Sequence, residues 1–165
     1  MDIVLFRHGL AVEREEWEGK EHDRPLTDKG KKRARLSAEG LTAAGVAVTH
    51  ILSSPLTRAR ETADILRNTL KVRPTIRLCD ELLPDAPVDK LFALLGTYPS
   101  AATVLCVGHE PHLSAVAGLL LAGKPIPGLV VKKAGACLIH CEEMPQIGKG
   151  ILEWWFPPSL LRAIE

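Results

Sequence analysis

The 165-residue chain lacks an excess of charge of either sign: 21 Lys and Arg stand against 20 Asp and Glu, a formal net charge of +1. That balance excludes a nucleic-acid binder relying on a broad basic face, while leaving room for a local basic pocket. Four cysteines occur, Cys79, Cys106, Cys137 and Cys141, and none forms a C-x-x-C pair, which argues against a zinc ribbon. Three of them, Cys106, Cys137 and Cys141, stand in apolar stretches, so buried reduced thiols are expected. No apolar run approaches the ~20 residues that span a bilayer. The earliest one, Ile3 to Phe6, is too short for a signal peptide. A cytoplasmic protein without a membrane partner is expected.

What is present is an ordinary globular composition, 46% hydrophobic and 25% charged, at a length that suits one domain over residues 1–165 with its own core. Asp2 to Arg7 (DIVLFR) is almost wholly apolar and reads as a buried, central, parallel strand. Residues 10–26 read as a loop over its mouth. Thr27 suits an N-cap for a helix reaching about Ala44, with Gly45 as the stop. Val48 to Ser53 is a second strand, and Pro55 is expected in the first turn of a helix reaching about Leu70. Further strands are expected at Thr75 to Leu78, Thr103 to Val107, Ala136 to Cys141 and Ile151 to Phe156, the last two as a hairpin. Helices are expected from Asp89 to Leu95, from Pro111 to about Leu121, and after Pro158. The alternation predicts an α/β three-layer α/β/α sandwich with a mainly parallel central sheet.

The chemistry-bearing residues cluster at strand ends, where α/β sheets bind ligands. Arg7-His8-Gly9 follows the first strand, Ser54-Pro55-x-x-Arg58-Ala59 the second, and Gly108-His109 the fourth. If these strands are neighbours, two arginines and two histidines meet in one pocket. Arginine offers planar donors to phosphate oxygens, and neutral histidine can attack phosphorus. His109-Glu110-Pro111-His112 has histidines at i and i+3 with a proline between, against the i, i+4 spacing of a helical zinc site, so no metal is expected. His112 is expected at the surface or behind the site. Arg60 and the basic run Lys29 to Arg35 read as solvated helix faces. Trp154, Trp155 and Phe156 are consecutive on a strand and so cannot share one face.

In order along the chain, R-H-G (Arg7–Gly9), L-T-x-x-G (Leu26–Gly30), S-P-x-x-R-A-x-x-T (Ser54–Thr62) and G-H (Gly108–His109) resemble the histidine phosphatase superfamily, which includes the phosphoglycerate mutases. The runs R-P-L-T (Arg24–Thr27), E-L-x-P (Glu81–Pro84), H-x-P (His109–Pro111) and P-x-x-L (Pro158–Leu161) are similar to the SixA-type phosphohistidine phosphatases. The resemblance implies a phosphoglycerate mutase-like fold and a cofactor-free, metal-free reaction. His8 would be the nucleophile, forming a phosphohistidine that water hydrolyses. Arg7, Arg58 and His109 would hold the phosphoryl oxygens, and Gly9 would let the phosphate approach without a side-chain clash.

Glu81 matches the family's acid best, with Asp80 and Asp85 as competitors, and a phosphohistidine substrate reduces the need for any acid. For His8 to attack, one ring nitrogen must give its proton to an acceptor, expected to be a backbone carbonyl. Leu10 stands where mutase-like members carry an acidic residue. Arg24 is expected either at the pocket edge or in a surface ion pair. Only about twenty residues separate the third strand from the fourth, which implies a shallow, open site. Such a site admits a phosphorylated side chain of another protein, such as a histidine phosphorelay domain. The alternatives are a small phosphorylated metabolite or a non-catalytic module that binds phosphorylated ligands. A monomer is the default expectation.

Overall fold

The computed structural model describes residues 1–70 and 74–164. Six strands, β1 (Asp2–Arg7), β2 (His50–Ser53), β3 (Ile76–Leu78), β4 (Thr103–Gly108), β5 (Ala136–His140) and β6 (Ile151–Phe156), form one sheet in the order β3-β2-β4-β1-β5-β6. The pairs β1/β4, β2/β4 and β2/β3 are parallel, and β5 runs antiparallel to both β1 and β6. The helices are α1 (Asp28–Ala43), α2 (Thr57–Thr69), α3 (Val88–Leu95), α4 (His112–Ala122) and α5 (Pro158–Leu161). No described helix is long and apolar enough to cross a membrane.

The apolar strands are continuous in sequence because both their faces are covered. Along β1, Ile3 and Leu5 join one core with residues of α3 and α4, while Val4 and Phe6 join the other with residues of α1, α2 and α5. In β4, Val104 and Cys106 face the first core, Leu105 and Val107 the second. This period-two split makes the sheet the middle of three layers, as the sequence predicts. The β5/β6 hairpin also forms, with Trp154 and Phe156 stacked 5.1 Å apart on one face and Trp155 packed on the other. All four cysteines are buried free thiols.

Helix boundaries follow local capping. Thr27 Oγ1 accepts the Gly30 amide at 2.9 Å, a side-chain N-cap for α1. Gly45 follows this helix with φ +77°, a backbone that favours glycine. Two starts lie two residues later than the sequence reading, and those of β3, α3 and α4 differ from it by one. The second helix begins at Thr57 rather than at Pro55, because Ser54 Oγ accepts the Leu56 amide and Leu56 stays extended. Strand β2 begins at His50 rather than Val48.

Two close approaches tie α1 to its neighbours. A Cβ on Gly30 would lie 2.0 Å from the Leu10 carbonyl oxygen, and one on Gly40 would lie 1.8 Å from that of Leu161. Only glycine allows the loop after β1 and the terminal helix to sit so near this helix.

Candidate active site

Sheet register brings the site together. Arg7 pairs with Gly108, and Ser53 pairs with Val107, so the residues that follow β1, β2 and β4 meet beyond their carboxyl ends. They line an open cavity of about 360 Å³ that includes Arg7, His8, Arg58 and His109. The His8 and His109 rings lie 4.9 Å apart, tilted by 54°.

His8 is 6% exposed and its Nδ1 lies 2.7 Å from the Gly9 carbonyl oxygen. A carbonyl can only accept, so Nδ1 carries the proton and donates it. The lone pair is then on Nε2, which has no hydrogen-bond partner among the described residues. Burial pushes the His8 pKa down to about 3; Arg58, Arg7 and Lys133 add to this, while the bond to Gly9 opposes it. His109 is pushed to about 2 by burial first, then by His8, Arg58 and Arg7. Both rings are therefore neutral near pH 7. His109 Nε2 is 2.9 Å from Ser54 Oγ.

Three buried nitrogens of these residues have no hydrogen-bond partner among the described residues: Arg7 Nε, Arg58 Nε and His109 Nδ1. A buried polar atom left unpaired costs about 1–3 kcal/mol, so uncommitted nitrogens on three residues that line one cavity suit an anionic ligand with several acceptor oxygens. Their neighbours are committed. Arg7 Nη1 donates to the Val131 carbonyl at 3.1 Å, and Arg58 Nη1 donates to the Glu21 carbonyl at 3.3 Å. Burial lowers the pKa of both guanidiniums, with Glu110 opposing at Arg7 and Glu21 at Arg58. Each stays cationic, since an arginine does not deprotonate in proteins.

The surroundings correct parts of the sequence reading. A Cβ on Gly9 would meet the Gly30 carbonyl at 3.1 Å and Leu26 at 3.4 Å, so its smallness serves the packing of α1 rather than an approaching phosphate. Gly9 still serves the site through its backbone. Its carbonyl binds His8, and its amide donates to Thr62 Oγ1 at 3.0 Å. Glu81 sits on the 3₁₀ turn Asp80–Leu82 and does not line the cavity. Leu82, beside it, turns into the core, and the charge of Glu81 acts on Arg77 and Cys79. Pro84 is the residue of this segment that reaches the cavity. Asp80 and Asp85 do not line it either; the carboxylates that do are Glu13, Glu15 and Glu110.

Both readings of Arg24 hold at once. It lines the cavity and also grips Glu21 through Nε at 3.1 Å and Nη2 at 3.0 Å. The same carboxylate lies 3.2 Å from Arg58. Glu21, Lys133 and Glu110 carried no signal in the sequence, because their relevance depends on distant segments. Thr62 could have been found: it closes the S-P-x-x-R-A-x-x-T run, one helical turn after Arg58, and its hydroxyl donates to the Arg58 carbonyl at 2.7 Å. His112 is buried behind the site, and neither of its ring nitrogens has a partner among the described residues. Among the described residues no three His, Cys, Asp or Glu side chains gather as a metal site.

Comparison with known proteins agrees with this arrangement. A profile of the histidine phosphatase superfamily (branch 1) matches residues 3–82, a range that holds Arg7, His8 and Arg58. An uncharacterised protein of Picosynechococcus sp. is 36% identical over 137 residues, 82% of this chain and 82% of that one. The phosphohistidine phosphatase SixA of Escherichia coli K12 is 26% identical over 167 residues, covering 100% of this chain and 99% of its own. A solved structure of the protein histidine phosphatase SixA complexed with tungstate superposes with a TM-score of 0.85 at 26% identity, over 98% of this chain and 99% of that one. The strand-end arginines and histidines, the sheet order and these relatives agree: the chain belongs to the histidine phosphatase superfamily.

Proposed function

We propose that the protein is a metal-independent protein-phosphohistidine phosphatase that works through a phospho-His8 intermediate. The observation that carries this reading is the 2.7 Å bond from His8 Nδ1 to the Gly9 carbonyl, which leaves Nε2 as the nucleophilic nitrogen. The Nε2 lone pair attacks phosphorus as the bond from phosphorus to the substrate imidazole breaks. That imidazole leaves with the bonding pair, as a neutral ring when its other nitrogen is protonated. A strong protein acid is then unnecessary, which fits the absence of Glu81, Asp80 and Asp85 from the cavity.

Phosphorylation makes the His8 ring cationic. The Gly9 carbonyl then accepts from a more acidic N–H than in the free enzyme, a stabilisation that grows along the reaction. Arg7, Arg58 and His109 hold the phosphoryl oxygens, a reading supported by the buried nitrogen on each that has no partner among the described residues. Water then attacks phosphorus, the bond to Nε2 breaks, and dihydrogen phosphate leaves with both protons of the water. His8 returns as the neutral Nδ1–H tautomer.

The open cavity favours a side chain presented by another protein, such as a cytoplasmic phosphorelay domain. The same openness also suits small phosphate esters as a second reading. Incubation with a ³²P-phosphohistidine peptide is expected to leave an acid-labile label on the wild type and none on His8→Ala. Wild-type rates in His8→Ala would overturn the proposal. Turnover is expected to persist in EDTA, and a preference for sugar phosphates over the peptide would select the second reading.

A further inference from the structure

We propose that Glu110 is a positioning residue for phosphoryl transfer: it pins the Val131 peptide, whose carbonyl in turn holds the Arg7 guanidinium at the cavity with its Nε–H uncommitted. The inference rests on the reading of Arg7 as a phosphoryl ligand.

The chain of contacts is continuous. Glu110 lies directly after His109 and lines the cavity. Its Oε1 accepts the Val131 amide at 2.7 Å, and its Oε2 accepts the Ser114 hydroxyl. Both carboxylate oxygens are thus occupied by this chain, which leaves Glu110 poorly placed to deliver a proton. Val131 is fully buried, and its carbonyl accepts from Arg7 Nη1 at 3.1 Å. The segment then closes over the end of β1. The Ala134 amide donates to the Arg7 and His8 carbonyls, and the Gly135 carbonyl accepts the Arg7 amide. Lys133, between these anchors, lines the cavity. One carboxylate, fixed to α4 through Ser114, therefore sets a segment that grips Arg7 by its side chain and its backbone.

A guanidinium has five N–H donors in one rigid plane, so fixing Nη1 fixes where Nε points. A shift of about 1 Å at a group that binds the reacting phosphoryl can cost on the order of 10²-fold in rate. Carboxamide at position 110 keeps an acceptor for the Val131 amide. Ser114 can then donate to the Pro111 carbonyl, 3.0 Å away, and accept from the new amide.

The test is a double-mutant cycle on the full chain, reading kcat/KM for a phosphohistidine peptide, with circular dichroism to confirm folding. Glu110→Gln is expected within about 3-fold of wild type, and Glu110→Ala about 10- to 100-fold below it. In an Arg7→Gln background, Glu110→Ala is expected to cost less than about 2-fold, because its effect passes through Arg7. The full loss in both backgrounds would overturn the inference, as would equal losses for Gln and Ala. If Glu110→Ala does not fold, Glu110→Asp, which keeps the charge but withdraws the carboxylate by one methylene, is read in the same cycle. An Arg7→Gln variant with wild-type turnover would instead remove Arg7 from the proposed function.

Discussion

At the scale of single residues, the protonation of two histidines links the site to stability. His8 and His109 have pKa values pushed down to about 3 and about 2, against an ordinary 6.5. Above pH 6.5 both are neutral in folded and unfolded chains alike. As pH falls below 6.5 the unfolded chain takes up protons that the folded site refuses, so stability is lost toward pH 3. Each pH unit is worth up to about 1.4 kcal/mol per histidine. Denaturant titration is expected to find the protein up to about 4 kcal/mol less stable at pH 5 than at pH 7, with a smaller loss in His8→Gln. Long-range ¹H–¹⁵N spectra are expected to keep His8 as the neutral Nδ1–H tautomer across that interval. An inflection of His8 near 6.5 would contradict its burial.

At the scale of elements, Thr62 joins the first turns of α2 to the loop after β1. Its hydroxyl accepts the Gly9 amide and donates to the Arg58 carbonyl, so the Gly9 backbone and the Arg58 helix share one oxygen. Thr62→Val keeps the shape and removes both bonds. The buried Gly9 amide then has no acceptor, at a cost of about 1–3 kcal/mol. The unfolding midpoint is expected to fall accordingly, and kcat/KM about 10-fold, because the Gly9 carbonyl that sets the His8 tautomer loses its anchor. Unchanged activity in a correctly folded Thr62→Val would show that this link is structural only. The elements themselves were legible in the sequence because each carries its own signal. The apolar run of β1, the Thr27 cap and the Gly45 stop are all local. The start of α2 lies two residues beyond the Pro55 signal because the Ser54 side chain, rather than Pro55, decides where that helix begins.

At the scale of the whole molecule, a chain of net charge +1 gathers Arg7, Arg14, Arg24, Arg58 and Lys133 around one cavity, against Glu13, Glu15 and Glu110. Such a site attracts oxyanions, the more strongly at low ionic strength. Tungstate at 100 times its Kd is expected to stabilise the fold by about 2.7 kcal/mol, a gain that Arg58→Gln should abolish. An equal gain in that variant would place the anion elsewhere. The sequence by itself determined the layered α/β fold and the presence of Arg7, His8, Arg58 and His109 at strand ends, whereas the sheet order made those strands neighbours. The layers and the four residues follow from period-two burial and from motifs only a few residues long. The tertiary structure alone decided which nitrogen of His8 is free, that Gly9 is small for the sake of α1, and that Glu81 stays outside the cavity. It also decided that Glu21 and Val131 hold the two arginines, through bonds spanning 37 and 124 residues of chain. Contacts between such distant segments depend on how the layers pack, and no local pattern in the chain encodes them.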